Sequence, residues 1–145
     1  MKKFKFRLES VLKVRQLRKK IAEREVALTQ SKITKTDKDI KETDDAWTQS
    51  FRIPDDGAVN MAFWSQINNH YRNGLEARKA QLEERKDKLN EQLDVEKKKL
   101  TRRMSDEMVM DKLKEYQKQE HLKEAEAEEQ ANIEEIDLLK RGRQS

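Results

Sequence analysis

Ile53-Pro54-Asp55-Asp56-Gly57 is the segment that decides the fold of this chain, because it separates two long stretches that carry a helical pattern. Proline has no N–H group to donate and restricts the residue before it, so a helix that reaches Ile53 must end there. The Asp-Asp-Gly that follows is typical of a turn. The sequence contains one Pro and three Gly among 145 residues, so few other positions interrupt a helix. It therefore predicts two helices joined at this segment.

The residues before the turn follow a seven-residue repeat. One line consists of Leu12, Lys19, Val26, Ile33, Ile40 and Trp47, and a second consists of Leu8, Arg15, Ala22, Thr29, Thr36, Thr43 and Ser50. Two such lines form a seam along one side of a helix, as in a coiled coil. The pattern resumes after the turn at Trp64, Ile67, Tyr71, Leu75, Leu82 and Leu89. A shift to Leu93 and Leu100 resembles a stutter.

These two patterns predict an all-α fold, in which two long helices form an antiparallel coiled-coil hairpin and the second helix extends past the first. We expect a single coiled-coil domain over residues 1–145. Its predicted parts are a helix over 7–51, a turn over 52–60, a helix over 61–139 and a basic tail over 140–145.

The predicted turn also fixes a pairing between the two helices. If the turn is centred near Asp56, the expected neighbours are Leu12 with Leu100, Lys19 with Leu93 and Trp47 with Trp64. Residues after about Ser105 then have no partner within the chain, and we expect them to project as a single helix.

The composition favours a thin helical ribbon over a compact globule. Charged residues make up 43% of the chain and aromatic residues 6%, whereas a coiled coil needs only a narrow apolar seam. Disorder is the competing interpretation, but the helical spacing of the apolar residues and the small net charge of +4 argue against it. The absence of cysteine, of a signal-like apolar run and of 18 consecutive apolar residues predicts a soluble cytosolic protein.

The sequence offers little that could support catalysis. Three scattered glycines cannot form a phosphate-binding loop. His70 and His121 have no second His or Cys at ligand spacing, and Asp55 and Asp56 have the character of turn residues. A two-helix ribbon also lacks a cleft that could exclude water around a pair of carboxylates. We therefore expect a protein that is not an enzyme, with no metal site and no cofactor.

Two clusters of residues suggest binding surfaces. Aromatic residues gather around the turn, at Trp47, Phe51, Phe63, Trp64 and Tyr71. They could anchor a partner or form a small hydrophobic plug that closes the hairpin. Near the N-terminus, apolar residues lie among basic ones, at Phe4, Phe6, Leu8, Val11 and Leu12. A membrane-surface helix or a nucleic-acid arm would show such a mixture, but the acidic residues 124–137 are expected at the same end.

The N-terminal segment also resembles a known family. Phe4-Lys5-Phe6-Arg7-Leu8-Glu9-Ser10-Val11-Leu12-Lys13-Val14-Arg15 is similar to the opening of the FliJ family, the stalk proteins of flagellar type III export. The shared features are an alternating Phe pair followed by Leu-Glu, Val-Leu and an Arg. Leu113-Lys114-Glu115-Tyr116 and Ile133-Glu134-Glu135-Ile136 resemble the family's second helix and its acidic tail.

The resemblance implies a coiled coil like the central stalk of a rotary ATPase. The implied partners are the hexameric flagellar export ATPase, the cytosolic domain of the export gate and the export chaperones. The implied location is cytoplasmic, peripherally at the inner membrane through the export apparatus. The implied ATPase-binding residues are Phe4, Phe6, Leu8, Val11, Leu12 and Arg15. The implied gate-binding residues are Ile40, Thr43, Trp47, Trp64, Tyr71 and Leu75.

Three other interpretations stay open on the sequence. A passive structural coiled coil would form homo-oligomers through its seam and would affect no ATPase. A nucleic-acid-associated helix protein would bind through residues 2–20 with a steep dependence on salt. The third is the equivalent stalk of a virulence-type III secretion system, which this sequence distinguishes from the flagellar stalk only through its N-terminal signature.

Overall fold

The computed structural model of the chain describes residues 3–53 and 60–144, with the backbone alone at residue 144. It contains two helices, α1 at Glu9–Gln49 and α2 at Met61–Gln144, and the described residues include no strand. The two long helices pack against each other and the second is longer than the first, which confirms the predicted all-α fold. The Pro54–Gly57 part of the predicted turn lies outside the described residues.

The helix ends follow from local chemistry. Asn60 caps α2, since its Oδ1 accepts hydrogen bonds from the backbone N–H groups of Ala62 at 3.1 Å and Phe63 at 3.4 Å. At its other end α2 continues through residues 140–143, which the sequence had suggested as a tail. Arg141 and Arg143 favour a helix there, because cations stabilise the negative end of the helix dipole.

The chain divides into two compact units, each built from parts of both helices. Unit 1 comprises Met1–Lys20 and Thr101–Ser145, and unit 2 comprises Ile21–Leu100.

Unit 2 is held by a seam of small residues on α1. Its most buried side chains are Ala22, Val26, Thr29, Thr36 and Thr43 of α1, Ser50 directly after α1, and Leu82 and Leu89 of α2. These α1 positions belong to the two predicted heptad lines. The buried positions of α2 continue at seven-residue spacing from Leu89 to the half-buried Glu96, so the predicted stutter does not occur there.

Unit 1 has a core that joins the N-terminal segment to α2. Phe6, Leu12 and Met110 form this core, and Phe4 and Leu113 pack against it. Phe6 also accepts a hydrogen bond at its carbonyl from the N–H of Glu9, at 3.2 Å. The segment before α1 is therefore part of the fold.

The predicted pairing between the helices was wrong. Leu12 contacts the core with Met110 instead of Leu100. Lys19 pairs with Glu107, with 2.6 Å between Nζ and Oε2, instead of lying beside Leu93. Met110 comes ten positions after Leu100, and Glu107 comes fourteen positions after Leu93, so the register differs by about three to four helical turns.

The end of α1 shows why the register differs. The backbone carbonyl of Ser50 accepts hydrogen bonds from Asn68 Nδ2 at 2.5 Å and from Arg72 at 3.0 Å. Because α2 begins at Met61, its first two helical turns come before Asn68 and Arg72, the residues that contact the end of α1. The residues of α2 that face α1 therefore come later in the sequence than a tight turn would place them. The prediction that residues after Ser105 have no partner was wrong for the same reason, since Met110 lies in the unit 1 core.

Candidate protein-binding surfaces

The predicted ATPase-binding residues all lie in unit 1, but the structure divides them between its core and its exterior. Phe6 and Leu12 are buried in the core, and Phe4 packs on that core with its ring centroid 5.7 Å from that of His121. Burial makes Phe6 and Leu12 structural supports, because a partner could contact them only by opening the core, whereas Phe4 is half-buried.

The other members of the predicted set face outward or brace the helix pair. Leu8 and Val11 are exposed, at 39% and 38%. Arg15 is half-buried and donates from its guanidinium to the backbone carbonyl of Asp106, at 2.8 Å. Leu8 and Val11 are therefore the exposed members of the set, and we call them the N-terminal surface.

The charge around the N-terminal surface is basic. The nearby exposed cationic residues are Lys3, Lys5, Arg7, Lys13, Arg18 and Lys20. The acid next to Leu8 is already engaged, since Glu9 Oε2 lies 2.9 Å from Lys114 Nζ. Apolar side chains within a cationic field favour an acidic protein partner.

Sequence reasoning missed two exposed apolar residues close to this surface. Val14 and Leu17 lie on α1, exposed at 47% and 58%. Both fall outside the two heptad lines, and an apolar residue off the seam was the signal that could have identified them.

The predicted gate-binding residues lie in unit 2, and three of them share a groove of about 390 Å³. We call it the tryptophan groove; its lining residues are Thr43, Asp44, Trp47, Thr48, Leu75, Glu76 and Lys79. Thr43 is buried and its hydroxyl donates to the carbonyl of Asp39, at 2.8 Å. Trp47 is exposed and could contact a partner without any change in the helices.

Aromatic contacts hold the tryptophan in place. The Trp47 and Phe51 rings meet edge to face, with centroids 4.6 Å apart and planes inclined by 75°. The guanidinium of Arg72 lies 3.9 Å from the Phe51 ring centroid. The Nε of Arg72 also donates a hydrogen bond to the Ser50 hydroxyl, at 2.9 Å. Arg72 therefore links the end of α1 to α2 beside the groove.

An ion pair closes one side of the groove. Lys79 Nζ lies 2.8 Å from Asp44 Oδ1. The hydrogen bond to Asp44, and then the attraction of its charge, raise the pKa of Lys79 above 10.5. Lys79 therefore stays cationic at neutral pH.

The remaining predicted gate residues lie outside the lining of this groove. Tyr71 is exposed, whereas Ile40 and Trp64 are half-buried. Phe63 and His70 line a second, more open depression on α2 of about 580 Å³. The alternative of a closed hydrophobic plug does not describe these aromatics, since Trp47, Phe51, Phe63 and Tyr71 are all exposed.

Within residues 3–53 and 60–144, no three His, Asp or Glu side chains are grouped so that they could hold a metal ion. None of the helices in that part of the chain is both long enough and apolar enough to cross a membrane.

The comparison with known families covers nearly the whole chain. Residues 4–144 match the family described as "Flagellar FliJ protein". Neither a curated protein nor a solved structure matches the chain. The match includes the N-terminal segment that packs on α2 as well as both helices. The chain therefore belongs to the FliJ family, and it is a component of flagellar type III protein export.

Proposed function

We propose that the chain acts as the stalk of the flagellar export ATPase. The unit 1 end inserts into the pore of the hexameric ATPase and promotes its assembly and activity. The observation that carries this proposal is the arrangement of Leu8 and Val11, which are exposed next to a buried core of Phe6, Leu12 and Met110. Such an arrangement presents apolar anchors on a rigid support.

The mechanism requires no chemistry from the chain itself. A stalk that contacts several subunits at once binds only the assembled ring, and therefore shifts the equilibrium toward the ring by mass action. Because α1 and α2 are long helices, a displacement imposed by one ATPase subunit can be passed along them. The chain then couples nucleotide-driven changes in the ring to a second partner.

The second partner that we propose is the cytosolic domain of the export gate, bound at the tryptophan groove. Trp47 supplies an exposed aromatic anchor there, and Tyr71 is exposed on α2 of the same unit. Aromatic side chains of this kind commonly dominate the binding energy of interfaces. Binding to the gate would hold the chain peripherally at the inner membrane. We also propose, from the family alone, that the chain helps to recycle export chaperones.

The test of the ATPase proposal is to mix the purified chain with the export ATPase of the same organism, and to measure ATP hydrolysis and ring formation. We expect stimulation by the wild-type chain. The double variant Leu8→Ser, Val11→Ser should lower the affinity at least about tenfold, because the loss of anchor residues commonly exceeds about 1.4 kcal/mol. Both residues are exposed, so the fold should persist, which circular dichroism can verify.

Val95→Ser is the matched control, since Val95 is an exposed aliphatic residue in unit 2. It should stimulate like the wild type. Equal stimulation by the control and the double variant would contradict the assignment of the N-terminal surface. No binding and no stimulation by the wild-type chain would favour the passive scaffold instead. Stronger stimulation of the ATPase of a virulence-type system would favour that context over the flagellar one.

A further inference from the structure

The last part of α2 is a long exposed helix, which we call the acidic tail and define as residues 122–143. All residues from Glu126 to Arg143 are exposed. A hydrogen bond within this stretch joins Gln130 to Glu134, one turn apart on the same helix. Most helices in proteins gain their stability from packing an apolar face. The distribution of apolar and charged residues around the tail therefore indicates which surface could pack on it.

One side of the tail is apolar. Leu122, Ala125, Ile133 and Ile136 fall on one face at helical spacing, and Glu129 lies on the same face between Ala125 and Ile133. Ile133 is exposed at 50% and Ile136 at 52%. Acidic residues border this face on both sides, with Glu126 and Asp137 along one edge and Glu128 and Glu135 along the other. The tail therefore presents a stripe of four apolar residues that is bordered by carboxylates on both edges and interrupted by the carboxylate of Glu129.

A second tail is a poor partner for this stripe, because its acidic edges would meet like charges. The complementary surface is present elsewhere in unit 1, on the outer side of α1. There Val14 and Leu17 are exposed, and the exposed cations Lys13, Arg18 and Lys20 flank them. We call these five residues the basic face. Its charges have the opposite sign to the carboxylates of residues 124–137, and Val14 and Leu17 could pack on the apolar residues of the stripe.

The tail cannot reach the basic face of its own chain. Both belong to unit 1, and the tail begins directly after His121, whose ring already lies against Phe4. Beyond that contact, α2 continues as one helix to Gln144. Bringing the tail back onto α1 would require a break in this helix, and a sharp kink needs a local cause such as proline, which the tail lacks.

We propose that the acidic tail of one copy docks on the basic face of a second copy of this chain. The contact joins two different patches, and two such contacts related by a two-fold axis close a dimer in which each tail is covered. The proposal does not depend on the assignment of the ATPase or the gate as partners, since it rests on charge and exposure within unit 1.

The first measurement is the mass of the full chain by sedimentation equilibrium over a range of concentrations. We expect it to rise from 17.3 kDa toward twice that value. Raising the salt from about 0.1 M to about 1 M should shift the equilibrium back to the monomer, because the Debye length falls from about 10 Å to about 3 Å.

Reversal of charge on each surface provides the decisive test. The tail variant is Glu126→Lys, Glu128→Lys, Glu135→Lys, and the face variant is Lys13→Glu, Arg18→Glu, Lys20→Glu. Each variant alone should have a dimer dissociation constant at least about tenfold higher, as reversed charge pairs repel. An equal mixture of the two should form a mixed dimer, because each tail then meets a face of opposite charge.

The matched control for the tail variant is Glu76→Lys, Glu91→Lys, Asp94→Lys, which changes the net charge equally at exposed sites of unit 2. It should dimerise like the wild type. The proposal would be overturned if the chain stayed at the monomer mass up to about 1 mM. At that concentration a dimer with a binding free energy of about 4 kcal/mol would be half formed. A dimer that the tail variant leaves unchanged, or two variants that fail to associate when mixed, would also overturn it.

Discussion

Threonine occupies positions of the α1 seam where a larger aliphatic residue is common. The hydroxyls of Thr36 and Thr43 donate to carbonyls of their own helix, both at 2.8 Å. Thr29 differs, because its hydroxyl donates to the carboxylate of Glu96 on α2 at 2.6 Å. No buried side-chain N or O atom among the described residues lacks a partner. A polar contact in a seam favours one alignment of the helices, because any shift leaves its groups unpaired.

Thr29→Val tests the energy of this contact. Thr29 is 2% exposed, and valine keeps its shape while removing the donor to Glu96. We expect the free energy of unfolding to fall by about 1–2 kcal/mol, as for hydrogen bonds to charged groups, measured by urea denaturation. Thr34→Val is the control, since Thr34 is exposed and bonds only its own helix at Gln30; its effect should be under about 0.5 kcal/mol. Equal losses for both variants would contradict the prediction.

Lysine–aspartate pairs give unit 2 a dependence on alkaline pH. Lys79 pairs with Asp44, and Lys86 Nζ lies 2.6 Å from Asp37 Oδ1. In both, the hydrogen bond to the aspartate, and then its charge, raise the lysine pKa above 10.5. A pKa that is higher in the folded state means that the stabilisation is complete below pH 10.5 and is lost as the pH rises through the folded-state value.

The double variant Lys79→Met, Lys86→Met should therefore melt below the wild type at neutral pH. The difference in melting temperature should be small, because both ion pairs are accessible to solvent. It should shrink as the pH rises above 10.5. Lys112→Met, Lys118→Met is the control, with both lysines exposed on α2. A difference between wild type and double variant that stays constant through this pH range would show that the pairs do not stabilise the fold.

At the scale of the helices, the sequence predicted the two helices and their buried positions better than the register in which α1 packs against α2. Heptad spacing identified Ala22 and Thr29 as seam positions, because burial on one side of a helix requires that spacing. Register depends on where α2 first contacts α1, and no periodic signal encodes the Ser50–Arg72 contact. The packing of Phe6 on α2 was missed because residues before a helix follow no helical period.

Leu12→Ala tests the core that joins α1 to α2 in unit 1. Leu12 is 2% exposed and contacts Met110 and Phe6. Its truncation should cost about 2–5 kcal/mol, through lost burial and the cavity left behind. Leu17→Ala is a matched control on the same helix, because Leu17 is 58% exposed and should cost under about 0.5 kcal/mol.

Hydrogen exchange can locate the effect of Leu12→Ala. Amides of residues 9–20 and 101–121 should lose protection, because the loss of a buried contact lowers the energy of local opening. Comparable unfolding energies for the Leu12 and Leu17 variants would contradict the core described for unit 1.

At the scale of the whole molecule, the two proposed partner surfaces belong to different units of one chain. The N-terminal surface lies in unit 1 and the tryptophan groove in unit 2. The two surfaces have no residue in common, and mutations of residues that share no partners usually act independently. Residues 4–144 belong to one family, and we expect the two proposed surfaces to contribute separable steps to export.

The variant Trp47→Ala, Trp64→Ala tests this separation. Trp47 lines the groove and is exposed, and Trp64 is half-buried on α2. We expect at least about a tenfold loss of affinity for the cytosolic domain of the export gate, as for tryptophan anchors worth more than about 1.4 kcal/mol, with ATPase stimulation unchanged. Titration calorimetry with the gate domain and an ATP hydrolysis assay give the two readouts.

Val95→Ala controls for the loss of an exposed apolar residue in unit 2. Unchanged gate affinity in the double variant would remove the groove from the proposed interface, and a parallel loss of stimulation would show that the two surfaces do not act independently.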